Sequence, residues 1–282
     1  MIVIDNASRY DVSEAVADVD LTPMEVRCIR EDRPGLAIAR NTGVKHARGS
    51  ILLFTDDDVR LPANWLHEMT EPIRNGEADA VAGAVTLAPY LHRPWQVENP
   101  WLTSPLATTH TLDPDKPQRM VGANMAIARE VLKHVPPFDP NLGAGSKLGM
   151  GEETLLSHQI KDEGFRLVGV FHAAVEHHCR EDRLTRANYL KAAARIGRSQ
   201  GYIDYHWKHA SYRPARLVAG ITWRYGKLFL GRALRRGDLQ PEGLPGWEMT
   251  LLTQIYHRRQ ILTEYGSARK YQPKAVRVGQ RG

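Results

Sequence analysis

Cysteine is scarce: Cys28 and Cys179 are the only two in 282 residues, and they form no CxxC pair. A disulfide scaffold and a four-cysteine zinc site are both excluded, and a reducing cytosol suits such a chain. Long apolar runs are missing as well. The longest, such as "LVAGITW", fall far short of the ~18 residues that suggest a membrane span. No basic segment followed by an apolar stretch and a cleavage site opens the chain. The expected location is cytoplasmic. Acidic residues are absent from Ala210 to Gly237, where seven Lys or Arg stand. Leu217, Ile221, Tyr225 and Leu228 share one face there. A helix of this pattern can lie peripherally on an anionic membrane surface, at its cytoplasmic face, or pack on the protein with a solvated basic side. Recognition helices and aromatic stacking motifs are also wanting, so no nucleic-acid partner is expected.

What is present suits a globular α/β protein: 42% apolar residues, 25% charged, and 38 Lys and Arg against 32 Asp and Glu. The excess positive charge favours an anionic ligand without choosing one. "IVID" reads as a short strand closing on the turn residues "DNAS", and a helical stretch runs on to about Val19. A second strand lies around "MEVRCIR", and "GLAIARNTGVKHARG" has helical spacing ending at glycine. "ILLF" is four apolar residues without alternation, as in a strand covered on both faces. A helix from "PANWLHEM" and a strand in "ADAVAGAVTL" continue the alternation. This is the rhythm of an α/β domain. Residues from Ala88 to Gln118, rich in Pro, Trp, Thr and His, read as a long excursion over the sheet, a lid or acceptor loop. "GAGSK" fails the spacing of a phosphate loop, and "HEMTE" lacks the second histidine of a zinc protease helix.

The stretch "ILLFTDDDVRLPANW" sets three aspartates just past a buried strand. Carboxyl ends of parallel strands are where open α/β sheets bind ligands. A hard divalent cation takes carboxylate oxygens and leaves positions for phosphate oxygens, so a metal bridging the protein to a diphosphate is one reading. The other is an acidic loop in which Asp58 or Asn64 caps the next helix.

The chain resembles the family 2 glycosyltransferases, which have the GT-A fold. The resemblance rests on "IVIDNAS", "RPGLAIARNTGVKHARGSILLFTDDDVRLPANWL", "VGANMAIAREVL", "FDPNLG", "GEETLLSHQIKDEGF" and "VEHHCREDRLTRANYL", in the family's order, from about Ile2 to Gly201. It implies a GT-A-like, Rossmann-like α/β fold: a mostly parallel sheet flanked by helices, with a helical C-terminal extension. The implied division is a catalytic domain over 1–205 and a basic helical region over 206–282. Family members begin with a strand and helix ahead of "IVIDNAS", so the resemblance also implies a sheet short of one central strand.

By the same resemblance Asp5 meets the nucleotide base, and Arg40 and Asn41 line the nucleotide pocket. Asp56 and Asp58 are the ends of the family's DxD, near ribose and metal respectively, with Asp57 between them. His177 completes the metal shell, with His178 as a spare. "GEETLL" matches the segment that supplies the catalytic base; the family commonly has Asp where this chain has Glu153, which leaves the base open between Glu152 and Glu153. The implied cofactors are Mn2+ or Mg2+, and imidazole ligation favours manganese. A separate zinc site from His172, His177, His178 and Cys179 lacks a usual spacing. The implied activity is inverting transfer of a sugar from a nucleotide-diphosphate donor to a glycan or lipid-linked acceptor hydroxyl, as in surface polysaccharide or glycolipid synthesis. The alternative is a truncated pseudoenzyme acting as a membrane-surface or partner-binding subunit.

Overall fold

The computed structural model describes residues 1–17, 24–235 and 242–272. Its elements run in chain order as β1 (Ile2–Asn6), α1 (Val12–Ala17), β2 (Arg27–Glu31), α2 (Leu36–His46), β3 (Ile51–Thr55), β4 (Val59–Arg60), α3 (Trp65–Arg74) and β5 (Ala80–Leu87). After these come α4 (Pro94–Glu98), β6 (Asn124–Ala128), α5 (Val131–His134), α6 (Glu152–Asp162), β7 (Leu167–His177), α7 (Arg186–His206), α8 (Pro214–Leu234) and α9 (Gly246–Glu264). The expected α/β alternation and helical C-terminal extension are both present. The last two residues of the helical stretch read to Val19 lie outside the described residues, as do Arg236 and Gly237 of the basic run.

The main sheet has the order β3-β6-β5-β7-β4. β6 is antiparallel to both β3 and β5, while β5 and β7 are parallel. Strands β3, β5 and β7 therefore share one direction, and their carboxyl ends open at one edge. β5 is the heart of this sheet, because Ala80 to Val85 are all buried and its small residues let layers close from both sides. Gly83 is required: a Cβ there would lie 2.3 Å from the Asn124 side chain. One core cluster holds Ala37, Met125, Ile127, Phe138 and Leu156 on one face, and another holds Met69, Val81, Ala126 and Val170 on the other. The "RLVGVFHAAVEHH" segment is a single long strand, irregular where it passes Gly83 to Val85 of β5.

β1 and β2 form their own parallel pair, joined by no strand pairing to the main sheet among the described residues. Ile2, Val3 and Ile4 are only half-buried, unlike the residues of β5. Side chains fasten this pair to the rest. Asn6 donates to the Arg33 carbonyl at 2.8 Å and accepts from the Gly35 amide at 2.8 Å, which fixes the entry to α2.

The stretch from Ala88 to Gln118 is not a loose lid. It contains α4 and two short 3-10 segments, and Leu91, Leu102, Leu106 and Thr108 are buried. Its Pro and Trp content had masked any period. The Leu102 carbonyl accepts from Tyr189 at 2.9 Å, joining this stretch to α7. α7 in turn packs closely on α9 at Gly197 and Gly201, where added Cβ atoms would lie 2.3 Å from the Thr253 carbonyl and 2.5 Å from the His257 carbonyl. Buried Glu248 of α9 accepts from Arg186 of α7 and Arg232 of α8, tying the three helices.

Candidate active site

β3 ends at Thr55, which pairs with Asn124 at the start of β6, and the three aspartates follow at this open edge. The chain then turns into β4, whose Val59 and Arg60 pair with His177 and Glu176 at the end of β7. That pairing sets Asp58 against His177: His177 Nε2 lies 3.2 Å from Asp58 Oδ2. The ring is buried, and its Nδ1 donates to the Leu106 carbonyl at 2.7 Å. A carbonyl only accepts, so Nδ1 carries a proton, and in a neutral imidazole Nε2 then presents a lone pair to the carboxylate. Two acceptors at this distance call for a proton or a cation. A metal-binding histidine typically has its second nitrogen bonded to a carbonyl in this way. Where Nε2 carries the proton as well, its hydrogen bond to Asp58 holds that carboxyl below its ordinary range.

Capping of the next helix does not occupy the acidic loop. Asn64 stands at the start of α3 without a side-chain cap and donates instead to Glu68 at 3.1 Å.

Arg40, on α2, is the buried centre of the neighbouring charges. Its guanidinium donates to Glu152 Oε1 and lies 3.3 Å from Asp56 Oδ1. A Cβ at Gly122 would collide with this guanidinium, so glycine there makes room for it. Burial raises the Asp56 carboxyl above its ordinary range, against the pull of Arg40. Glu152 and Glu153 open α6 behind Gly151, whose φ of 94° is in the left-handed region that favours glycine. Their roles separate here. Glu152 is buried and committed to Arg40, whereas apart from its own amide no donor among the described residues reaches the Glu153 carboxylate. Burial, reinforced by the Glu152 charge, pushes Glu153 up to about 8.

Asp5 and Asn41 have partners of their own. The buried Asp5 carboxylate accepts from the Ser8 amide at 3.0 Å and from Arg30 at 2.5 Å, and these bonds hold it below the usual carboxylate range. The Asn41 amide donates to the Phe138 carbonyl at 2.8 Å and accepts from the Phe138 amide at 3.0 Å. It pins the "PFDP" turn beneath the site.

Among the described residues, no group of three or more His, Cys, Asp or Glu side chains is gathered tightly enough to hold a metal by itself. Asp58 and His177 are brought together, and Asp56 stands beside Arg40. Two protein ligands suit an ion whose other positions go to phosphate and water. The zinc alternative finds no support, since His172 meets Glu68 at 2.6 Å, His178 meets Glu176 at 2.6 Å and Cys179 is buried. Sequence reading passed over two cations nearby. Arg183 acts electrostatically on Asp58 and Arg119 on Glu153, and basic side chains at such positions suit a diphosphate. Both lie in or beside motifs already singled out, but their spacing gives no sign of where they point.

The first 135 residues, which carry Asp5, Arg40 and the aspartates, match the family model described as Glycosyl transferase family 2. Residues 1–135 belong to glycosyl transferase family 2. The fold of the whole chain is similar to that of the mannosyltransferase PcManGT from Pyrobaculum calidifontis, solved with GDP-Man and Mn2+. That similarity has a TM-score of 0.50 at 17% identity, over 99% of this chain and 69% of the other. Glucosyl-3-phosphoglycerate synthase from Mycobacterium tuberculosis, solved with phosphoglyceric acid, is 20% identical over 70% of this chain and 66% of its own, with a TM-score of 0.44. A mycobacterial protein of known structure is 22% identical over 71% of this chain and 61% of its own, with a TM-score of 0.48. The chain thus spans less than two thirds of these last two. No curated protein matches.

Proposed function

We propose that this family 2 chain is a metal-dependent, inverting glycosyltransferase that moves a sugar from a nucleoside diphosphate to an acceptor hydroxyl. The observation that carries the reading is the facing pair of acceptors, Asp58 and His177, at the carboxyl edge of the sheet. Asp58, with His177, would hold Mn2+ or Mg2+, and manganese suits the imidazole better. The metal, when bound, would supply charge stabilisation for the departing diphosphate.

The chain's own residues take the remaining tasks. Arg40 fixes the position of Asp56 by an ion pair and holds Glu152 in place. Glu153, with its unpaired carboxylate, takes the proton from the acceptor hydroxyl as it attacks the anomeric carbon. A base on the face opposite the leaving group gives inversion. Asp5 faces the base of the nucleotide, with Arg30 holding the carboxylate in place. Asn41 acts by shaping the turn at Phe138. The catalytic part extends over 1–205, and the basic region that begins at 206 is built, among the described residues, on α8 and α9. The acceptor is a glycan or lipid-linked hydroxyl, as in surface polysaccharide or glycolipid assembly.

Calorimetric titration of the chain with UDP, GDP, dTDP and CDP, each with and without manganese, tests the reading. Binding of one nucleotide that requires manganese is expected; no binding of any of them overturns it. The base assignment has its own signature. A carboxyl must be ionised to accept a proton, and Glu153 sits at about 8. With the donor so identified, kcat/KM is expected to rise with pH through about 8 and level off above it. Glu153→Gln is expected to lose about 10²- to 10⁴-fold in kcat and to keep nucleotide affinity. A rate that is flat from pH 6 to 9, or a Gln variant that retains activity, would move the role elsewhere.

A further inference from the structure

The outward side of α8 is built the wrong way round for a helix facing water. Leu217 and Leu228 are buried on the inner side. The outer side carries Val218, Trp223, Phe229, Leu230 and Leu234, and Ala, Thr and Gly fill the arc between them. Phe229 is 77% exposed and Leu234 75%. At 100° per residue the positions from Val218 round to Trp223 span about 140° of the helix without one charged side chain, and Arg216 stands level with Leu234 at the border of this arc. Single exposed apolar residues are ordinary on protein surfaces; a continuous arc of this size marks a surface made to be covered.

Its surroundings say what covers it. Every charge between Ala210 and Gly237 is positive. Lys227 lies along the flank with its Nζ 3.9 Å from the Trp223 ring centre, apolar stem and cationic head both beside the arc. At the start of α8, an open hollow of about 380 Å³ is lined by Tyr212, Arg213, Arg216, His257 and Arg258. Among the described residues, Arg213, Arg216 and Arg258 form no ion pair, and the like charge of Arg224 adds to burial in lowering Arg258. An apolar protein partner would satisfy the arc and leave these guanidinium groups unmatched. An anionic bilayer satisfies both, acyl chains against the arc and phosphates against the arginines. No described helix is long and apolar enough to cross a membrane, so the contact lies in the plane of the surface.

We propose that α8 docks the protein on an anionic phospholipid bilayer, with Phe229, Leu230 and Leu234 entering the interface and Arg213, Arg216 and Arg258 meeting headgroup phosphates. This does not depend on the glycosyl-transfer reading. Co-sedimentation of the full chain with vesicles of phosphatidylcholine, and of phosphatidylcholine mixed with phosphatidylglycerol, tests it. The mixed vesicles alone are expected to pellet the protein, and high salt to release it. The double variant Phe229→Glu/Leu230→Glu alters exposed side chains only. It is expected to weaken vesicle partitioning at least about tenfold, with melting temperature and nucleotide binding unchanged. Equal pelleting with neutral vesicles, no pelleting with either, or undiminished binding of the variant would overturn the proposal. So would light scattering that shows the wild type as a dimer and the variant as a monomer, which would assign the arc to a second copy.

Discussion

Asp58→Ala is expected to remove sugar transfer, by about 10³-fold or more in kcat, while leaving the fold intact. The size follows from what the carboxylate is placed to do. Asp58 meets the His177 lone pair at 3.2 Å and is half-buried, so losing it removes the charge that a cation at this spot requires. Little stability goes with it. The backbone carbonyl of Asp58 still accepts from the His178 amide at 2.7 Å, so the turn into β4 does not rest on the side chain. Manganese-dependent nucleotide affinity should fall along with the rate. Asp58→Ala activity within tenfold of wild type, at saturating manganese, would refute the metal role. Asp58→Asn sharpens the comparison, since it keeps the shape and one ligand oxygen and removes the charge.

Arg40→Met is expected to act on the fold itself. Arg40 is buried between Glu152, also buried, and Asp56, and removing one partner of a buried ion pair costs about 3–5 kcal/mol because the other charge is left unmatched. Methionine fills part of the same volume, so the loss reports charge more than cavity. Thermal or urea unfolding measures it. Adding Glu152→Gln to the Met variant should restore most of the stability, since it removes the stranded charge. Equal destabilisation in single and double variants would mean that Arg40 matters through packing on Gly122 and Phe138 instead. Activity is not expected to return with stability, because Asp56 stays without its anchor.

The features legible in the sequence were those whose signal is local. An apolar run into three aspartates reports a strand end, and "GEE" after a glycine-rich loop reports a helix start; both positions hold in the structure. What stayed hidden depends on atoms far apart in the chain. Nothing near His177 reveals that the Leu106 carbonyl, 71 residues away, fixes its tautomer. Glu152 and Glu153 are neighbours of one type, and only the arrival of Arg40 from α2 separates a buried counter-charge from a carboxylate with no such partner. Asn41, set in the nucleotide pocket by the resemblance, has both ends of its amide taken by the Phe138 backbone, 97 residues on, which nothing local foretells. Asp139 went unremarked as part of "FDPNLG". It is nevertheless a buried hub, accepting from Tyr202 at 2.8 Å, Tyr271 at 2.7 Å and Lys270 at 2.6 Å, and so fastens the segment after α9 to the turn below the site.

The division of the strands into two sheets bears on how a donor would be held. Asp5 sits on the β1–β2 pair and Asp58 at the edge of the main sheet, so the proposed base contact and diphosphate contact belong to separately hydrogen-bonded units. α2 and a few side chains connect them. A nucleotide that reached both would act as a brace, and part of its binding free energy would be stored as resistance of the β1–β2 pair to local opening. Amide exchange in Ile2 to Asn6 and Arg27 to Glu31 would then slow on binding far more than exchange in β5, where the sheet is closed on both sides already.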